Sequence, residues 1–162
     1  MINISQMRSL IERTCLGLGD KYGTKAAIDL VLTTGIVESR YEYLRQMNDG
    51  PAFSFFQIEK SSCVDNLVHY LKHRPKLMSK CAEVTLVDLK HWQNYDESLW
   101  ARILESNIAA GIIHCRIKYY RVPKRLPSSI EGMSLYYKKY YNTELGKADP
   151  EDFIQAAKKW VA

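Results

Sequence analysis

A single glutamate, Glu38, ends a long apolar stretch and precedes a loop rich in aromatic residues. The loop contains Phe53, Phe55 and Phe56 and leads directly to Gln57. Burial among apolar groups disfavours the charged form of a carboxyl and raises its pKa. A glutamate that keeps its proton near neutral pH can donate it to the leaving oxygen of a glycosidic bond. This pattern indicates Glu38 as a general acid, with Phe55 in a water-poor wall and Gln57 bound to a sugar amide or to the carboxyl.

The same spacing also fits a purely structural glutamate. Charged residues near helix ends are common, and Arg40 and Arg45 follow Glu38 closely enough to pair with it. From the residue types alone, an ion pair at the end of a helix is the more common arrangement.

A second carboxylate would decide the reaction type. An inverting glycosidase needs a base about 6.5–9.5 Å from the acid, with a water molecule between the two groups. The candidates are Glu42, Asp49 and Glu59. Glu42 lies one helical turn after Glu38 only if the helix continues, and the other two residues have local roles of their own in a turn or before a helix. The sequence thus slightly favours chemistry with one acid.

The elements that must position Glu38 are helical. Thr24 precedes a segment that is apolar on nearly every face, which predicts a central buried helix. The stretch 41–58 is the one place that suits a short β-hairpin, with turn residues Asn48, Asp49 and Gly50. We expect a mainly α single domain spanning residues 1–162, with at most a short hairpin after the helix that carries Glu38.

Helix boundaries are predicted from capping patterns and prolines. A capping box is expected at 62–65, with Pro75 ending that helix, and Asp96 is expected to start one long helix that runs through Ile117. Two further starts are expected at 128–131 and at 149–152. Tyr119 and Tyr120 follow the Asn107 segment, and Tyr119 is chosen as a candidate sugar-binding residue, whereas His114 is expected to be structural.

Composition and charge restrict the class of protein. The chain has 162 residues, is 46% apolar and 25% charged, and carries a formal net charge of +5. Its basic residues form short clusters rather than one dense block, so nucleic acid is not an expected partner. No apolar run approaches the ~20 residues of a membrane span, and residues 1–8 lack the features of a signal peptide, so we expect cytoplasmic synthesis without membrane insertion.

The cysteines are dispersed through the chain. No two of the four are close enough to form a CxxC pair, and the four histidines are equally scattered, so neither a zinc site nor a disulfide framework is expected. Their expected state is that of buried free thiols. They are Cys15, Cys63, Cys81 and Cys115.

An ordered set of motifs resembles soluble lytic transglycosylases and goose-type lysozymes. Glu38-Ser39, the segment 52–58 and the segment 107–111 are similar to the ES, A-x-G-L-M-Q-I and N-I-x-x-G elements of those enzymes. A wider set, covering roughly residues 25 to 155, resembles tailed-phage proteins with a lysozyme-like fold. That wider set comprises 38–40, 44–46, 50–52, 57–59, 115–127 and 141–147.

The resemblance implies a role for each matched residue. It implies that Glu38 acts first as general acid and then as base, and that Gln57 shapes the sugar subsite beside it. Ser39 would orient the glutamate or cap the local backbone, and Asn107 and Gly111 would line the far side of the cleft. No metal or organic cofactor is implied.

One residue departs from the family pattern. Ser54 stands where the lytic enzymes usually have glycine. If that glycine adopts a positive φ or allows close approach of the sugar, a serine there strains the loop or narrows the cleft. This departure bears on whether the protein is catalytically active and does not bear on its fold.

The resemblance also implies a substrate and a setting. The substrate would be the glycan strand of peptidoglycan, cut at the β-1,4 bond between N-acetylmuramic acid and N-acetylglucosamine, and transglycosylation is slightly favoured over hydrolysis. The protein would belong to a phage virion or to the host cytoplasm and act on the periplasmic wall, with other virion proteins as further partners. The alternative is a virion structural or assembly protein that retains the fold without turnover.

Overall fold

The computed structural model describes residues 2–142 and 146–161, and these residues are mainly helical. A two-stranded antiparallel sheet follows the second helix after a loop, which confirms the expected mainly α fold with a short hairpin. Residues 143–145 of the motif at 141–147 lie outside the described residues. The α-helices are α1 (Ile4–Leu18), α2 (Lys25–Ser39), α3 (Lys60–His69), α4 (Pro75–Thr85), α5 (Leu89–Trp92), α6 (Glu97–Ser106), α7 (Ile108–Tyr120), α8 (Ile130–Tyr137) and α9 (Pro150–Trp160), and the strands are β1 (Ala52–Phe53) and β2 (Ile58–Glu59).

Two helices form the centre of the molecule. Every residue of α2 from 27 to 35 is buried, as is every residue of α7 from 110 to 117. Helix α2 packs against α1, α7, α8 and α9, while α7 also contacts α3, α4 and α6. A helix that is apolar on all faces must be enclosed in this way, so the prediction of a central buried helix after Thr24 is confirmed.

Three helix starts follow from local capping chemistry. The Thr24 hydroxyl accepts a hydrogen bond from the Ala27 amide at 3.3 Å and begins α2 as expected. Asp149 and Asp152 form a reciprocal capping box at α9, also as expected. At α8 the cap is Ser129, one residue later than the start of the predicted box.

The predicted boundaries around α3 are wrong. The chain turns from β2 straight into α3 at Lys60, so Ser62 already lies in the first turn and cannot cap it. Helix α3 ends at His69, before Pro75. Pro75 instead opens α4, because a proline at the first helical position loses no helical hydrogen bond.

The hairpin is shorter than the predicted segment, and its turn lies elsewhere. Phe53 pairs with Ile58, and the segment 54–57 connects the strands. The Asn48-Asp49-Gly50 turn lies in the preceding loop, closed by a bridge between Arg45 and Phe53. Asn48 and Asp49 have φ values of 61° and 55°, which these residue types tolerate better than most.

Several expectations about the interior are confirmed. All four cysteines are buried and free. His114 is fully buried between Trp92 and Trp100, and burial lowers its pKa to about 3, so its role is structural. Within the described residues, no helix is both long and apolar enough to cross a membrane.

Candidate active site

Glu38 is the penultimate residue of α2, and the backbone turns sharply just after it. Arg40 and Tyr41 both adopt left-handed conformations, with φ of 52° and 53°, and end the helix. Glu42 therefore does not lie one helical turn beyond Glu38, which removes the arrangement on which its role as a second acid depended.

A cavity of about 900 Å³ opens at this end of α2. Its walls come from the end of α2, the loop and hairpin at 43–59, the last part of α7, the turn after α8 and the start of α9. The lining residues are Val37, Glu38, Tyr43, Gln46, Met47, Ala52, Gln57, Glu59, Ser62, Lys118, Tyr141, Asn142, Gly146, Lys147, Ala148 and Asp152.

The Glu38 carboxyl is partly buried and has a hydrogen-bond donor fixed against one oxygen. The buried Tyr137 hydroxyl donates to Glu38 Oε1 at 2.6 Å. Burial raises the pKa of Glu38 above its usual value, although the Tyr137 hydrogen bond, the Lys118 charge and the Asn142 side chain each act to lower it. Tyr43 donates its hydroxyl to the Glu38 backbone carbonyl at 2.8 Å and holds the helix end in place.

This environment suits proton transfer. A raised pKa increases the protonated fraction at near-neutral pH, and a carboxyl at a cavity wall can reach a bound oxygen. Lys118 is a second ionisable group beside it, and burial lowers the pKa of this lysine. Its ammonium donates to the Tyr141 carbonyl at 3.1 Å, which holds it at the cavity wall.

Gln57 lines the same cavity, as expected, but it does not bind the glutamate. Its side-chain Nε2 donates to the Ser54 carbonyl at 2.9 Å, across the hairpin turn. Gln57 itself has a left-handed backbone, with φ of 48°. The turn thus fixes the amide at the cavity wall, where it can hydrogen-bond a ligand.

Ser54 and Gly111 contact each other rather than the cavity. Ser54 is 1% exposed and has φ of 69°, so the predicted backbone strain is present. Its hydroxyl packs on α7 at Gly111, where an added Cβ would lie 2.1 Å from Ser54 Oγ. Neither residue lines the cavity, so their assignment as substrate-binding residues is corrected to a tight contact between loop and helix, and Ser54 does not narrow the cleft directly.

Ser39 caps the end of α2. It is 1% exposed, its hydroxyl donates to the Gly35 carbonyl at 3.2 Å, and it accepts from the Tyr41 amide at 3.1 Å. Of the two roles implied for Ser39, the structure has the backbone cap, and its assignment as a substrate-binding residue is corrected accordingly.

Phe55 and Tyr119 are core residues rather than walls of the cavity beside Glu38. Phe55 is 6% exposed and packs edge-on against Tyr41 at 5.5 Å. Tyr119 is 1% exposed, and its hydroxyl hydrogen-bonds Thr34 at 2.7 Å. Both assignments as sugar-binding residues are corrected, because each side chain is buried in packing contacts away from the cavity beside Glu38.

Asn107 divides what was predicted as one long helix. Its extended backbone separates α6 from α7, and its side chain accepts from the Ala110 amide at 2.8 Å. The same side chain donates to the Thr85 carbonyl at 2.9 Å. Asn107 does not line the cavity beside Glu38, and its expected substrate contact is corrected to a helix cap that also anchors α4.

The carboxylates beside Glu38 differ in part from those expected. Glu59 lines the cavity, whereas Glu42 and Asp49 do not. Asp152, in the first turn of α9, also lines it and was not predicted. The sequence accounted for Asp152 as a first-turn acid of the helix that starts at 149–152, and nothing in that role indicated that the residue also lines the cavity.

Tyr137 and Lys118 are the other functional candidates that sequence reasoning missed. Tyr137 is 99 residues from Glu38 in the chain, and no local pattern in the sequence connects the two residues. Among the described residues, neither Arg40 nor Arg45 forms the ion pair with Glu38 that was the structural alternative, and Arg45 instead pairs with Glu105 at 3.8 Å. The described residues also contain no cluster of three or more side chains that could hold a metal ion.

Comparison with known proteins finds no match to this chain among protein families, curated proteins or solved structures. The resemblance to lytic transglycosylases and goose-type lysozymes therefore stays a prediction carried by motifs.

Proposed function

We propose that this protein cleaves the β-1,4 bond between N-acetylmuramic acid and N-acetylglucosamine in peptidoglycan, with Glu38 as the general acid. The observation that supports the proposal is the carboxyl of Glu38 at the wall of a 900 Å³ cavity, with its pKa raised by burial. A cavity of this size can hold a short stretch of glycan. Its polar walls, including the amide of Gln57, suit the hydroxyl and acetamido groups of such a ligand.

The proton transfer would use the Glu38 oxygen that does not bind Tyr137. Glu38 would protonate the bridging oxygen, and the bond between that oxygen and the anomeric carbon would break. The hydrogen bond from Tyr137 would stabilise the carboxylate left behind. A hydroxyl of the muramic acid would then attack the anomeric carbon and return its proton to Glu38, which yields an anhydro sugar and regenerates the acid.

The residues that line the same cavity are also compatible with hydrolysis. Glu59 and Asp152 line it, and either could activate a water molecule in place of the internal hydroxyl. We favour the internal attack because it needs no second carboxylate.

The test is release of soluble fragments from purified peptidoglycan, followed by mass spectrometry. Wild type should release anhydro-muropeptides, and Glu38→Gln should release at least about 100-fold less, since general-acid catalysis contributes ~10²–10⁴. Glu59→Gln and Asp152→Asn are matched controls that remove a carboxylate from the same cavity and should keep most of the activity. Reducing ends in place of anhydro ends would indicate hydrolysis. Release of no soluble fragments from several purified cell walls would refute the proposed enzymatic activity.

The alternative is a phage virion structural or assembly protein without turnover. The strained Ser54 turn favours it, because Ser54 stands where the lytic enzymes usually have glycine, and Gln57 Nε2 already donates to the Ser54 carbonyl, which leaves fewer of its hydrogen-bonding groups for a sugar. In this case wild type would release nothing, and Ser54→Gly, which relaxes the turn, would leave it inactive. In either case we propose a virion or host-cytoplasmic protein that meets the periplasmic wall and other virion proteins.

A further inference from the structure

A second cavity, of about 850 Å³, lies at the opposite end of α2 from Glu38. Four of its lining side chains are cationic, Lys21, Arg116, Lys124 and Arg125, and none of its lining residues in the described part of the chain is an aspartate or glutamate. Among the described residues, none of the four forms an ion pair with a carboxylate, although six ion pairs occur elsewhere. This concentration of unneutralised positive charge distinguishes the cavity from the basic residues scattered over the rest of the surface.

Arg116 lines the cavity and has a buried donor that lacks an acceptor. Its side chain is 2% exposed, with Nε donating to the Tyr22 carbonyl at 2.7 Å and Nη2 to the Lys21 carbonyl at 3.3 Å. These two nitrogens form one edge of the guanidinium, so Nη1 lies on the other edge. Nη1 is buried and has no hydrogen-bond partner among the described residues. A buried guanidinium that lacks a counter-charge is unfavourable, and a bound anion would stabilise it.

The N-terminus of α2 adds donors of the same kind. Thr24 accepts from Ile28 N with its carbonyl, at 3.0 Å, and from Ala27 N with its hydroxyl, at 3.3 Å. The amides of Lys25 and Ala26 therefore have no acceptor within the helix. Thr24 and Ala26 both line the cavity. The partial positive charge at the start of a 15-residue helix attracts anions, phosphate in particular.

We propose that this cavity binds a phosphate group carried by an organic ligand, with the amides at the start of α2, Arg116, Lys124 and Arg125 as its donors. A phosphate offers several strong acceptor oxygens and up to two charges, which suits donors that line one cavity from separate elements. Tyr120 and Leu126 also line the cavity and offer apolar surface for the organic part. The site is independent of the proposed cleavage reaction, since 14 helical residues, roughly 20 Å, separate Thr24 from Glu38.

Phosphate titration tests the proposal with a matched pair of variants. Lys124 and Arg125 are exposed, so the double variant Lys124→Ala with Arg125→Ala should fold. The control, Lys158→Ala with Lys159→Ala, removes the same charge from exposed positions in α9. Inorganic phosphate and glycerol 3-phosphate are titrated separately at fixed ionic strength, because long-range attraction to a net charge is screened by salt.

The expected result is saturable binding in about the millimolar range or tighter, with shifts of the Lys25 and Ala26 amide resonances. The variant in Lys124 and Arg125 should bind at least about tenfold more weakly, and the control should bind like wild type. Tighter binding of glycerol 3-phosphate supports an organic phosphate, whereas equal or weaker binding contradicts the organic ligand. If phosphate binding does not saturate, or if binding is weakened equally in both double variants, the proposed phosphate site is overturned.

Discussion

Replacing Gly111 by alanine tests the contact that ties the hairpin turn to the central helix α7. The new Cβ would lie 2.1 Å from Ser54 Oγ and 3.0 Å from Ser54 Cβ, so the loop or the helix must move. If Ser54 is glycine, both of these atoms are gone, and the nearest remaining neighbour of the new Cβ is Phe56 Cδ2 at 3.3 Å. The effect of Gly111→Ala on stability should therefore depend strongly on whether residue 54 is serine or glycine.

The effect of Gly111→Ala on stability follows from two opposing contributions. Forcing an extra methyl into a packed interior costs about 1–3 kcal/mol, while alanine in a helix interior gains about 1 kcal/mol over glycine. Gly111→Ala should thus destabilise wild type by about 1 kcal/mol and stabilise the Ser54→Gly protein by a similar amount. Ser54→Gly alone should change stability little, because relief of the left-handed backbone is offset by the greater freedom of glycine in the unfolded chain. The coupling between the two sites should be about 2 kcal/mol.

Urea unfolding of the four proteins measures this coupling through their midpoints and slopes. The result that would refute the reasoning is a Gly111→Ala effect of the same size and sign in both backgrounds. Such a result would mean that Ser54 does not occupy the space beside α7, and the geometry described for the turn that carries Gln57 would be wrong.

The remaining predictions concern ionisable groups. Tyr137→Phe and Lys118→Met each remove a group that lowers the pKa of Glu38, so both substitutions should raise that pKa. Carbon NMR of labelled glutamate measures the pKa, and an unchanged or lower value would contradict the assigned contacts. Because burial raises the folded-state pKa of Glu38, the carboxylate destabilises the fold above that pKa, and Glu38→Gln should gain stability over wild type at pH 8 but not at about pH 4. The pH dependence of stability due to His114 has the opposite sign, because its folded-state pKa of about 3 lies below the usual 6.5. The stability that the neutral ring contributes should therefore be lost as the pH falls from about 6.5 to 3. Nitrogen NMR should find the ring still neutral at pH 5 in the folded protein.

The helical frame was largely predictable because its signals are local. Thr24 and Asp149 cap their helices with side chains that reach two or three residues ahead, and the apolar run after Thr24 has only one way to be buried. The predicted helix boundaries were wrong where the same residue type is compatible with two different backbone arrangements. Pro75 starts a helix as readily as it follows one, and Asn107 interrupts a periodic apolar pattern that would otherwise continue.

The candidate site was predictable only at its centre. Glu38 and Gln57 line the cavity as expected, but Ser54, Gly111 and Tyr119 are buried in packing contacts that their spacing alone did not distinguish from a cleft. Residues brought in from distant parts of the chain, such as Tyr137, carry no sequence signal of their own, because a hydrogen bond across 99 residues depends on how the helices pack.

Digestion of purified peptidoglycan by wild type and Glu38→Gln, side by side, tests the central claim most directly. The isosteric amide can still accept from Tyr137, so loss of the acidic proton is the main change at the cavity wall. We expect anhydro-muropeptides from wild type and a release at least about 100-fold lower from the variant. Equal release by the two proteins, or none by wild type, would contradict Glu38 as the general acid.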